Sequence, residues 1–146
     1  MTIAPPGNQT ATIVDRWSNA FNSHDAAGYV ACYTEDAVFK DIALHRTFNG
    51  REELFDFFTE WDGGSPDSRV DVDRVLPTDS GFVVTWTGRG TLSGDFSHLP
   101  PTAVRGSRIE LPAVSILEIT PEGLISSHTD YYDLFSLLKQ IGVIPA

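Results

Sequence analysis

The chain has 146 residues, 41% of them hydrophobic and 21% charged, with a formal net charge of −10. That size and balance imply one soluble globular domain whose core stands without a disulfide or a structural metal. The acidic excess excludes nucleic acid and anionic membrane as expected partners, because both need a cationic footprint. No run approaches the roughly 18 apolar residues of a membrane span.

The start, Met1-Thr2-Ile3-Ala4-Pro5-Pro6-Gly7, has neither a basic opening nor an apolar stretch. Residues 1–8 are expected to form a loose tail ahead of a single domain over 9–146, and the protein to be cytoplasmic. Ile13, Val14, Trp17, Ala20 and Phe21 recur at three- and four-residue spacing, which predicts a helix from about Thr10 to Asn22. Asp25 then caps a second, short helix presenting Tyr29, Val30 and Tyr33. Cys32, the only cysteine, rules out an internal disulfide and fits a reducing compartment. No His/Cys spacing has the paired form of a zinc site.

Ala37–Asp41 reads as a short strand, followed by loop through Thr47. A third helix opens at Asn49, with Glu52 three residues on in a variant capping box, and Leu54, Phe57, Phe58 and Trp61 form one apolar stripe. Asp62–Pro66 ends it. Strands are predicted over Arg69–Leu76, Phe82–Leu92, Ser107–Ile119 and Leu124–Tyr132. The Ser93–Gly106 segment, with its paired prolines, is irregular. A last helix is capped by Asp133, carries Leu134, Leu137, Leu138 and Ile141, and stops at Gly142. The fold class is α+β: about three helices packed on a curved mixed, mostly antiparallel sheet, forming a cone with a short C-terminal helix.

Alternation in the last strand puts Leu124, Ser126, His128, Asp130 and Tyr132 on one face. If that face is solvated, Asp130 is an ordinary surface carboxylate. If it lines an apolar cavity, Asp130 is desolvated, its proton affinity rises, and it becomes a candidate general base. His128 then relays a proton or binds substrate, or else sits at the rim. Asp41 either shares the cavity, where two carboxylates push one proton affinity up, or is a loop residue near Lys40 and His45. Arg89 faces inward only if the odd positions Val83, Thr85, Thr87 and Thr91 do. There it pairs with a carboxylate or holds an oxyanion; otherwise it is a solvated edge cation. Trp17, Tyr33 and Phe39 are candidate walls for a flat hydrophobic ligand, whereas Phe58 and Trp61 are expected to be packing.

The order of elements and several signatures resemble the nuclear transport factor 2-like superfamily, and within it the SnoaL-like polyketide cyclases. The carrying segments are Trp17 with Asn22-Ser23-His24-Asp25, Tyr33–Phe39, Asn49-Gly50-Arg51-Glu52, Trp86–Thr91, Leu99–Thr102, and Asp130–Asp133 followed by Leu137–Gly142. The resemblance implies an apolar pocket between sheet and helices, a homodimer joined through the sheet, and no metal or organic cofactor. It also implies a hydrophobic small-molecule substrate deprotonated beside a carbonyl by the last-strand aspartate, here Asp130, in a cyclase, isomerase or dehydratase. Trp17, Tyr33, Phe39, Thr87 and Tyr132 are the expected substrate contacts. Limonene epoxide hydrolases are related. Here Phe39 and Asp41 stand at their tyrosine and asparagine, and Thr87 and Arg89 at their arginine and aspartate, so the sequence departs from that water-activating site. Epoxide hydrolysis and non-catalytic binding of a small molecule are the alternatives.

Overall fold

The computed structural model describes residues 6–96 and 98–145, with side chains from Thr12 onward. Helix α1 spans Pro6–Asn22, α2 Ala26–Val30 and α3 Gly50–Gly64, and α4 is Leu134–Gln140. The strands are β1 (Tyr33–Asp41), β2 (Arg46–Asn49), β3 (Arg69–Pro77), β4 (Gly81–Leu92), β5 (Ser107–Ile119) and β6 (Ile125–Tyr132). They form one six-stranded sheet in the order β2-β1-β6-β5-β4-β3, with β1 parallel to β6 and every other pair antiparallel. The architecture is the α+β arrangement expected from the sequence.

Four local readings change. Pro6 opens α1, where its missing amide costs nothing, so residues 6–8 are helical rather than tail; residues 1–5 lie outside the described residues. Tyr33 belongs to β1, which starts four residues earlier than expected. Arg46–Asn49 is a strand rather than loop, pairing with β1 so that Phe48 turns inward opposite Phe39. Asn49 caps α3 by backbone position only. Gly50, at φ +81°, turns the entry so that Glu53 rather than Glu52 reaches back to the Asn49 N–H, at 3.1 Å.

Two apolar clusters fill the space over the sheet. The larger joins α1, α2 and α3 to the sheet through Val14, Trp17, Tyr29, Leu54, Phe58, Val84 and Leu117. The smaller lies under α4 and the 93–106 segment, through Phe96, Leu99, Ile109, Leu111, Leu137 and Ile141. Trp61 packs against both. Asn22 fastens the edge strand to α1 with a two-way bond, donating to the Val70 carbonyl at 2.9 Å and accepting its N–H at 2.7 Å. Arg51 ties α3 to the start of β1 by donating twice to the Tyr33 carbonyl. Among the described residues, no helix is long and apolar enough to cross a membrane.

Candidate active site

A cavity of about 90 Å³, open at one end, lies where the two apolar clusters meet. Its walls include Trp17, Phe39, Phe57, Trp61, Trp86 and Leu111, and its polar side chains include Asp41, His128, Asp130 and Tyr132. Strand alternation explains the polar set. His128 and Asp130 are one pleat apart on the inner face of β6, and Asp41 is the register partner of Asp130 on the parallel neighbour β1. The inner face breaks near the start of β6. Ser126 is an extra residue opposite the Glu118–Ile119 step, so Ile125, not Leu124 or Ser126, enters the core.

His128 is 1% exposed and Asp130 7%, so both are withdrawn from bulk water. His128 Nε2 lies 2.6 Å from Asp130 Oδ1. Because an ionised carboxylate only accepts, Nε2 carries the proton in that pairing. Ser115 Oγ donates to the same Oδ1 at 2.5 Å, lies 3.2 Å from His128 Nε2, and accepts from Trp86 Nε1 at 2.8 Å. Both donors therefore converge on Oδ1. Among the described residues none bonds Oδ2, which is left as the free oxygen of a residue lining the cavity.

On its other side His128 Nδ1 lies 2.7 Å from the Tyr33 hydroxyl. Tyr33 in turn accepts from Trp17 Nε1 at 3.1 Å and stands 3.0 Å from the Tyr29 hydroxyl. With the ring proton on Nε2, Tyr33 donates to Nδ1 and Tyr29 donates to Tyr33, so each buried hydroxyl hydrogen of the chain has an acceptor. Burial pushes the Tyr29 and Tyr33 hydroxyls far above their ordinary range, so both stay protonated. The Phe39 ring stacks on the imidazole at 4.1 Å and 3°.

Asp41 is buried, accepting from the Leu44 N–H at 3.0 Å and from the Tyr132 hydroxyl at 3.0 and 2.9 Å. Desolvation raises its proton affinity above the ordinary carboxylate value, and the charge of Asp130 adds to that; the bonds from Leu44 and Tyr132 oppose it. Asp41 and Asp130 thus line one cavity.

Arg89 is not beside either carboxylate. The inner face of β4 is the even one, with Val84, Trp86, Gly88 and Gly90, so Arg89 lies at the mouth with its guanidinium outward. It bonds Asp71 at 2.9 Å and Glu110 at 2.7 Å. Thr87 is on the outer face for the same reason and does not line the cavity. Tyr33 is fully buried behind His128 and is not a wall; Trp61, expected to be packing alone, is one. Sequence reading missed Ser115, Tyr29 and Trp86 as parts of the polar chain. For Ser115 the signal was a lone small polar residue on the apolar inner face of β5, between Ala113 and Leu117. Among the described residues, no three His, Cys, Asp or Glu side chains gather as a metal ion would require.

A family model for the SnoaL-like domain matches residues 14–128. The chain belongs to the SnoaL-like domain family. No curated protein matches this SnoaL-like chain. Among solved structures it is similar to a candidate SnoaL-like polyketide cyclase from Jannaschia sp. CCS1, with TM-score 0.80, 20% identity and 99% of each chain covered. It is also similar to a hypothetical protein of ketosteroid isomerase-like fold from Catenulispora acidiphila DSM 44928, crystallised with trimethylamine. There the TM-score is 0.76 at 22% identity, covering 91% of this chain and 94% of that one. An NTF2-like protein of unknown function from Burkholderia pseudomallei K96243 has TM-score 0.74 and 20% identity, covering 91% and 97%. At these identities the likeness establishes the fold.

Proposed function

We propose that this SnoaL-like domain is a cofactor-independent enzyme that removes a proton from carbon next to a carbonyl in a hydrophobic, cyclic small molecule. The observation that carries this reading is the Asp130 carboxylate, held by two donors on Oδ1 with Oδ2 left free in a cavity walled mainly by apolar side chains. A base of that kind keeps a lone pair available because no donor among the described residues competes for it. His128, donating Nε2–H to the same carboxylate, orients it, and the Tyr33 hydroxyl on Nδ1 holds the imidazole in that tautomer. Asp41, whose burial raises its proton affinity, and the Tyr132 hydroxyl bonded to it line the same cavity and are the groups that meet the substrate oxygen as charge develops there. Cyclisation, isomerisation and dehydration all begin with that step.

A cavity of about 90 Å³ is smaller than the roughly 150 Å³ apolar hole that takes up benzene. It therefore receives the reactive edge of one ring, and the rest of a larger substrate extends through the mouth. Asp130→Asn is the test, read as exchange of α-hydrogens of cyclohexanone and 2-tetralone into D₂O by proton NMR. The wild type catalyses exchange and the variant loses it. Absence of exchange in the wild type for both ketones, or equal exchange in the variant, overturns the reading. Retained ligand affinity without any turnover in either protein marks a binding module instead.

We also propose that the domain is a homodimer joined through the outer sheet face. There Leu76, Val83 and Ile116 stand side by side in register, with Val114 and Tyr131 beside them. Leu76, Ile116 and Tyr131 are exposed in the single chain. Ile116→Glu should convert the dimer to monomer in light scattering; a wild type already monomeric defeats this. The free, buried Cys32 supports a cytoplasmic location.

A further inference from the structure

The base of the proposed reaction does not hold itself in place. We propose that Ser115, with its hydroxyl turned by the Trp86 indole, is a positioning residue that fixes Asp130 Oδ1 and so presents Oδ2 to the cavity. The inference rests on the reading of Asp130 as base for its use, but not for its geometry.

The direction of each bond follows from the donor inventory. An indole N–H only donates, so at 2.8 Å from Trp86 Nε1 the Ser115 oxygen must accept. Its one hydrogen is then left to donate, and the strongest acceptor in reach is Asp130 Oδ1 at 2.5 Å. The indole bond occupies one lone pair of the Ser115 oxygen and so fixes the rotation of the hydroxyl; without it, that rotation and the aim of its hydrogen at Oδ1 are no longer set. Ser115 is fully buried and is the register partner of Asp130 across β5 and β6, so no water substitutes for it.

The register repeats on the other side. Ser115 pairs with Val84 on β4 while Trp86 pairs with Ala113, one pleat along the same inner face. Ala113 is the small neighbour beneath the indole. Trp86 is itself a cavity wall and meets Trp17 edge-on at 6.3 Å between centroids. One ring thus serves as surface for the substrate and as tether for the base.

The prediction is read without any substrate. In the ¹H–¹⁵N spectrum, the Trp86 indole signal should shift in Asp130→Asn, because Ser115 links the indole to that carboxylate. Ser115→Ala should remove the response of the indole to a further Asp130→Asn change, and Ser115→Thr, which keeps the hydroxyl, should restore it. If the response survives in the Ser115→Ala background, or Asp130→Asn leaves the indole signal unmoved with Ser115 present, the positioning role is overturned. In the exchange assay, Ser115→Ala should lower kcat about tenfold or more with KM retained, again with recovery in Ser115→Thr; loss in KM alone counts against the role. Trp86→Phe keeps the wall but removes the donor, so it should lower kcat in the same direction by a smaller factor. Should Asp130→Asn leave ketone exchange intact, the base assignment fails while the indole shift still decides the hydrogen-bond chain.

Discussion

Carboxylates on one sheet meet two different fates in this domain. At the mouth, Asp71 on β3 points outward between Arg69 and Arg89, with 2.9 Å bonds to each guanidinium. The Arg69 bond, then the Arg89 bond, hold its proton affinity below the ordinary value. In the cavity, Asp41 faces inward beside a second carboxylate, and desolvation drives its proton affinity the other way. Residue type is the same in both places. Which side of the pleat it occupies decides whether the group is a permanently charged surface ion or a proton-handling group.

The widest separation between the two regions should appear in activity. Asp130→Asn should reduce ketone α-hydrogen exchange by about 10²- to 10⁴-fold, the usual contribution of a positioned general base. Asp71→Asn, made on the same scaffold, should leave exchange within twofold. Equal losses in the two variants would mean that electrostatics at large, not one oriented oxygen, support the reaction.

Next in size is the packing around the buried imidazole. Phe39 is 1% exposed, stacks on His128 and meets Phe48 and Phe57 at 5.5 and 4.8 Å between centroids. Phe39→Ala should cost about 3–5 kcal/mol of stability in urea unfolding, as for other buried aromatic truncations. A loss below about 1 kcal/mol would show that the imidazole does not depend on this wall.

Smaller, and opposite in sign, is the effect at Asp41. Its folded proton affinity is raised, so below about 3.8, its ordinary value, both folded and unfolded chains hold the proton and no penalty arises. As pH rises through the folded value, stability is lost, because the unfolded chain ionises more readily than the folded one. Asp41→Asn keeps an acceptor for Tyr132 and Leu44 and removes the charge. Its Tm should exceed that of the wild type at pH 7, with the gain shrinking as pH falls toward 4. A gain independent of pH would assign it to packing.

Much of this contrast was legible in the sequence, and the part that was not has a specific cause. Period-2 alternation in His128-Thr129-Asp130 placed both groups on one face, and helical spacing placed Leu54, Phe57 and Phe58 in the core. The strand β4 defeated the same logic. Its odd positions Val83, Thr85, Thr87 and its even positions Phe82, Val84, Trp86 are both apolar enough to be buried, because its outer face also carries apolar side chains. Pattern alone gives no choice between them, so Arg89 and Thr87 belong to the site in one of its two readings. The Ser126 bulge was hidden for a related reason: an extra residue changes facing without changing composition. Ser115 stood out only as a small polar residue on an apolar face, and its role needed its register partner, Asp130, to be known.

The smallest expected effect belongs to Arg89, and it tests the outer half of the comparison. Its guanidinium is solvent-facing and shared between Asp71 and Glu110, and exposed pairs of this kind are weakened by water and salt. Arg89→Ala should therefore leave Tm unchanged within error at 0.15 M salt and leave ketone exchange unaltered. What should change is local: with one of its two cations gone, Asp71 regains part of its ordinary proton affinity, seen as an upward move in its carboxyl titration by NMR. If Arg89→Ala instead abolished exchange, the guanidinium would have to swing inward when substrate binds, and the division between mouth and cavity would no longer hold.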